Sequence, residues 1–163
     1  MLTSTGKSVE QVKWVTGLAP ITPSTSTPDY VSMKGYSKLT IIILADNATT
    51  VTGSAITLYE ATAVAGTGAQ QMAMTEMWAN TDTAAGDTLT KTAVTSNTFT
   101  TDTTNAKNLM YVIEVDQTDL DMDDSYDCVR LGTGDAANTV ISVLYMLWNP
   151  KYAAATPPAA ITD

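Results

Sequence analysis

Asn108-Leu109-Met110-Tyr111-Val112-Ile113-Glu114-Val115-Asp116, then Tyr126-Asp127-Cys128-Val129-Arg130-Leu131, then Val140-Ile141-Ser142-Val143-Leu144-Tyr145-Met146-Leu147-Trp148 are the runs that decide the fold class. β-Branched and aromatic residues dominate each run, helix formers are scarce, and turn residues bound both ends, so each reads as a strand. Three such strands in succession, joined by short polar connections, are the pattern of a packed β-sandwich.

The segments before them extend the pattern. Lys38 to Ala45 is a continuous apolar run, expected as a central strand covered on both faces. Ser54 to Glu60 alternates, with Ile56 and Leu58 on one side, which predicts a strand with one wet face. Gln70 to Asn80 would suit helix or strand on composition, but the shared parity of Met72, Met74 and Trp78 favours a strand. Thr88 to Val94 and Asn97 to Thr100, separated by Thr95-Ser96, read as a hairpin of threonine-rich edge strands. With a short strand from Val9 to Thr16, the count reaches about eight or nine, without a convincing helix. The expectation is an all-β chain, residues 1–163 forming one antiparallel β-sandwich of jelly-roll type.

Two stretches fall outside that pattern. Gly17 to Pro28 carries Pro20, Pro23 and Pro28, which argues against regular structure and predicts an extended crossing or N-terminal arm. After the last strand come Asn149-Pro150-Lys151-Tyr152 and an Ala/Pro tail through Asp163, expected as an extended C-terminal arm over 149–163. Arms of small residues and prolines bury little area in their own subunit, so they are expected to reach a neighbour. The interface candidates are therefore Pro23, Pro28, Trp148, Tyr152, Pro157 and Pro158, with Tyr152 as the anchoring aromatic of the tail.

Composition narrows the function classes. The hydrophobic share of 44% supports a real core, while the charged share of 15% is well below the quarter or so usual in globular proteins. The balance is threonine, 30 residues of it, suited to half-exposed strands and turns. A net charge of −9 without a basic cluster argues against nucleic acid or an anionic membrane surface as partner. The N-terminal residues carry no apolar targeting segment, and no run is long enough to span a bilayer; the chain is expected to stay where it is made. The single Cys128 allows no internal disulfide, and its place in a strand predicts a small buried hydrophobe.

No histidine is present, which removes the commonest general base and zinc ligand. Ser and Lys residues lack a nucleophile motif such as Gly-x-Ser-x-Gly. Gly66-Thr67-Gly68 and Gly132-Thr133-Gly134 lack the remaining residues of a nucleotide loop and read as turns. Glu60 and Glu76 are one of many carboxylate pairs that glycoside hydrolysis could use, and nothing in the spacing selects them. Trp14, Trp78 and Trp148 are expected as core and interface anchors. The acidic run Asp116 to Asp127 offers the only metal candidates. Read as a calcium loop from Asp119, it places oxygens at Asp119, Asp121 and Asp123, but Asp124 stands where glycine is required and Arg130 where glutamate is required. A solvated turn, with Asp119 or Asp121 capping one helical turn, is the expectation. No catalytic residue, no cofactor and no enzymatic activity are expected.

Taken together, Tyr30 to Tyr36 (Tyr-Val-Ser-Met-Lys-Gly-Tyr), Ala73 to Asn80 (Ala-Met-Thr-Glu-Met-Trp-Ala-Asn), Asn108 to Asp116, Asp127 to Arg130, Val143 to Leu147 and the ending Ala154 to Asp163 resemble small virion proteins of tailed bacteriophages. The likeness runs over nearly the whole chain, and its motifs are structural. It implies a head-associated protein of decoration, or cement, type on the capsid exterior. The major capsid protein would be its partner, and the protein itself a homo-oligomer, dimer or trimer, synthesised in the host cytoplasm. A host-binding or carbohydrate-binding module of a tail or fibre is the alternative from a different class.

Overall fold

A computed structural model gives the architecture and describes residues 7–23, 27–152 and 159–160. One short helix, α1 (Ser8–Gln11), precedes eleven strands among the described residues: β1 (Lys13–Ile21), β2 (Val31–Ser32), β3 (Tyr36–Asn47), β4 (Ala55–Ala61), β5 (Gln70–Gln71), β6 (Glu76–Asn80), β7 (Thr90–Ala93), β8 (Thr98–Thr100), β9 (Asn108–Asp116), β10 (Cys128–Thr133) and β11 (Thr139–Pro150). Alternation places Leu109, Tyr111, Ile113 and Val115 of β9 on one buried face, and Ile141, Val143, Tyr145 and Leu147 of β11 beside them. Leu39, Ile41 and Ile43 of β3 lie between those two rows, and Ile56, Leu58, Val129 and Leu131 join the same core from β4 and β10.

The strands form two antiparallel sheets, ordered β1-β11-β3-β9-β6-β7 and β2-β10-β4-β5, with β8 also pairing β4. The pairs β1 with β11, β2 with β10, β3 with β9 and β4 with β5 are nested one inside the next. Such nesting is that of a long hairpin wrapped into two sheets, the jelly roll expected from sequence. The extra strands β6, β7 and β8 fall between β5 and β9; β6 and β7 widen the first sheet to six strands, and β8 lines the edge of β4.

One hydrogen bond ties the sheets through the core. Because β2 pairs β10 only at Cys128 and Val129, the Leu131 N–H finds its partner in the other sheet, donating to the Tyr145 hydroxyl at 3.0 Å. That hydroxyl in turn donates to the Asp29 carbonyl at 3.1 Å. A buried phenol thus gives the Leu131 N–H its partner and links it to a second backbone group.

Several expectations are corrected here. The proline-rich crossing is largely strand: β1 continues through Pro20 to Ile21. It can do so because β1 is an edge strand whose pairing with β11 is interrupted between Thr16 and Leu18 and again between Leu18 and Ile21, and edges with bulges tolerate proline. Gly17 and Leu18 are buried at the first interruption, where a Cβ on Gly17 would come within 2.6 Å of the Tyr145 ring. Residues 70–80 do not form one strand. The chain leaves the second sheet after β5 and enters the first at β6, so parity shifts at 72–75 and the buried set becomes Met72, Met74 and Met77. Residues 88–100 are not a hairpin, since β7 pairs β6 and β8 pairs β4 in opposite sheets.

Strand β3 is central, but its outer side is not sealed: Leu44 is 50% exposed. On β4 both sides are covered, because Tyr59 and Ala61 join Tyr30, Cys128 and Val64 in a small second cluster. Gly132 lies within β10 rather than in a turn, its missing side chain leaving space for the Tyr59 ring. Gly66 and Gly68 take positive φ in the expected turn.

Candidate interaction surface

The outer side of the six-stranded sheet carries a set of partly exposed apolar side chains. Strand register places them in rows. One row crosses all six strands as Thr16, Leu144, Ile42, Val112, Trp78 and Lys91. A neighbouring row is Ser142, Leu44, Met110 and Asn80, and on the other side lie Trp14, Met146, Thr40 and Glu114. Beyond these, Trp148 stands beside Lys38 and Asp116.

All three tryptophans of the chain are therefore on this outer surface. The largest fully buried aromatics are tyrosines instead, Tyr36, Tyr111 and Tyr145. Trp14 is 38% exposed and Val140, at the end of the same strand surface as Leu144, 40%; Ile42, Met110, Val112, Leu144, Met146, Trp78 and Trp148 are half-buried. Trp148 Nε1 donates to Thr40 Oγ1 at 3.0 Å, which lays the indole along the sheet and covers Thr40. Lysines mark the margin: Lys38 pairs with Asp116, and Lys91 pairs with Glu76 at 2.6 Å while lying 5.5 Å from the Trp78 ring centre. An apolar centre with polar, ion-paired margins is the anatomy of a protein interface, and tryptophan is the residue most enriched at its energetic centre.

The other expected residues fall as follows. Tyr152, 70% exposed, lies just past β11. Pro23 and Pro28 are buried within the subunit, the Pro23 carbonyl accepting the Ala136 N–H at 3.0 Å. Pro157 and Pro158 lie outside the described residues. Farther along the tail, Ala160 packs against the core cluster of its own subunit.

The acidic run forms two 3-10 turns, Gln117–Asp119 and Met122–Asp124, preceded by Asp116 and Asp121. Asp119 Oδ2 accepts the Asp116 N–H at 2.8 Å, the Asp121 N–H donates to Glu60 Oε2 at 2.9 Å, and Asp123 is exposed. No group of three or more carboxylates or thiols is arranged to hold a metal ion among the described residues. Glu60 and Glu76 are likewise separate. Glu60 is buried with its two oxygens engaged by Gln70 and Asp121, whereas Glu76 sits on the other sheet with Lys91.

Cys128 is buried, and its thiol donates to Asp127 Oδ1 at 3.0 Å. Burial first, then the neighbouring Asp127 carboxylate, push its pKa up to about 12. No helix among the described residues is long and apolar enough to cross a membrane.

The tryptophan surface was only half legible in sequence. In β11 the residues 140, 144, 146 and 148 are apolar as well as the buried set 141, 143, 145 and 147, and a strand apolar on both sides is the signal that its outer side too is destined for cover.

No protein-family model matches the chain, and no curated protein matches it. Among solved structures, the crystal structure of the SPBc2 prophage-derived protein YomS is similar at TM-score 0.47 and 12% sequence identity, over 83% of this chain and 91% of that one.

Proposed function

We propose that this chain is a structural protein of a tailed-bacteriophage particle that decorates the outside of the capsid and stabilises it by binding the major capsid protein. The observation that carries this reading is the outer side of the six-stranded sheet, where Trp14, Trp78 and Trp148 stand among aliphatic residues with ion pairs at the margin. A surface of this kind supports binding by shape and a few aromatic anchors. The acidic composition suits a position away from packaged nucleic acid, because a −9 protein would meet phosphate repulsively. Absence of histidine-based chemistry suits a stabiliser, and the resemblance of the six sequence segments to phage virion proteins points the same way. The protein acts in this reading as a dimer or trimer without cofactor, and weak contacts gain strength by repetition over many lattice sites.

Fractionation of the particle tests the reading. Heads and tails separate by sedimentation, and the protein is expected with heads. Particles lacking it are expected to assemble but to burst at lower temperature or under milder osmotic shock. Recovery solely with tails would favour the host-binding alternative, and particles as robust as complete ones would remove the stabilising role.

A further inference from the structure

The opposite side of the sandwich carries a second feature that the tryptophan surface does not explain. Arg130 is the one arginine of the chain. Its guanidinium carbon lies 4.8 Å from the Tyr59 ring centre and 5.0 Å from that of Tyr30, so two aromatic rings hold the fork in place. Beside it runs a trough of about 240 Å³, walled by Ala55, Thr57 and Tyr59 of β4 and floored by Gly132 and Gly134. Register puts Arg130, Gly132 and Gly134 opposite Tyr59, Thr57 and Ala55 along the two paired strands.

In an acidic protein, the expected partner of a cation is a carboxylate, and Lys38, Lys91 and Lys107 each have one. Arg130, whose planar fork suits that pairing best, forms no ion pair among the described residues. Its Nε–H is buried and meets no acceptor there, and the Tyr30 hydroxyl is buried beside it in the same condition. Burial raises the Tyr30 pKa, and the Arg130 guanidinium beside it opposes that shift by its charge and by its reach toward the hydroxyl. Buried donors of this kind call for an acceptor.

We propose that the Arg130 trough is a carboxylate-binding site, the acceptor being either the aspartate or glutamate side chain of a polypeptide or a free small carboxylic acid. Three features select that chemistry. The trough has a single positive group, which suits a monoanion better than a phosphate dianion in a chain of net charge −9. The Nη–H donors of the guanidinium, beyond the buried Nε–H, suit the two oxygens of a carboxylate. The Tyr59 ring is engaged by the guanidinium and by the Gly132 backbone, where a Cβ would come within 2.5 Å of it, which leaves little of the ring for stacking a neutral sugar. This site is independent of the capsid reading, since it lies on the other sheet and needs no phage partner.

Because the chain has one arginine, its side-chain Nε–H gives a single resonance in an NMR spectrum of the intact protein. Titration with N-acetylaspartate methylamide, the peptide-side-chain probe, and with glutarate, the free-acid probe, is expected to move that resonance and the Gly132 and Gly134 amides saturably. N-acetylasparagine methylamide, neutral and of the same shape, is expected to move none of them. A response to the aspartate probe alone assigns the site to an acidic polypeptide, and a response to glutarate alone to a small acid. Ala55→Leu, which narrows the trough at an exposed strand position and leaves Arg130 in place, is expected to weaken the response at least tenfold with an otherwise unchanged spectrum. Arg130→Lys is expected to abolish the movement of the glycine amides. No saturable response to either acid, an equal response to the neutral amide, or full binding by both variants would overturn the proposal.

Discussion

Trp148 and Thr40 are joined across neighbouring strands by a hydrogen bond of 3.0 Å from the indole nitrogen to the hydroxyl, on the outside of the protein and not in its core. The bond fixes the orientation of a large aromatic that is only half-buried. A tryptophan held in one position before a partner arrives loses less freedom on binding, which is how rigid anchors gain affinity.

Introducing charge at the middle of this surface should separate binding from folding. Leu44, half exposed between Ser142 and Met110, has its side chain outside the core, so Leu44→Asp is expected to change unfolding free energy by no more than about 0.5 kcal/mol. The same change is expected to weaken association with capsids at least tenfold, about 1.4 kcal/mol. Denaturant melts and co-sedimentation with heads lacking the protein measure the two effects.

The tie between sheets is a stability device. Tyr145→Phe keeps the ring but leaves the buried Leu131 N–H without its partner, an expected loss of about 1–3 kcal/mol. Equilibrium unfolding reads it directly, and an unchanged midpoint would show that water replaces the phenol.

Gly17→Ala should be destabilising through overpacking, because the new methyl would come within 2.6 Å of the Tyr145 ring. The expected cost is about 1–3 kcal/mol. In a double-mutant cycle, Gly17→Ala is expected to cost less in a Tyr145→Leu background than in the native one, since a smaller side chain relieves the clash.

Alkaline pH should weaken the fold through Cys128. Burial is the main cause holding its folded pKa at about 12 against an ordinary 9.0, so the unfolded chain ionises first and unfolding releases a proton within that window. The stability contribution is complete below pH 9.0 and is lost as pH rises toward about 12. Unfolding midpoints across this range are expected to fall more steeply for the native protein than for Cys128→Ala, and thiol reagents at neutral pH are expected to label the unfolded chain far faster than the folded one.

Chelation of calcium is expected to leave the melting temperature unchanged. An ion bound to the native state at a hundredfold excess over its Kd would contribute about 2.7 kcal/mol, an effect easily seen. A drop in melting temperature with chelator, absent in Asp121→Ala, would make Asp119, Asp121 and Asp123 a calcium site.

Strand content and class were legible because residues 108–116, 128–133 and 139–150 satisfy local alternation and pack against one another. The errors cluster where pairing is non-local. Nothing in residues 70–80 or 88–100 announces that the chain changes sheets, because that depends on which edges β4 and β9 leave unpaired. Pro20 departs from expectation for a similar reason, since proline is excluded from ladders only where its nitrogen faces a partner, and β1 has a partner on one side only. The tryptophan surface was hidden in plain composition: an apolar residue at Trp14 or Trp148 reads as core until register shows which side of the sheet it occupies. The Arg130 trough had no sequence signal beyond the solitary arginine itself.

A reconstruction of the phage particle tests the central claim most directly. The account predicts copies of this jelly roll on the outside of the head, with the β1-β11-β3-β9 surface bearing Trp14, Leu44 and Trp148 buried against capsid protein. Copies confined to the tail, or copies on the head with that surface turned to solvent, would contradict it.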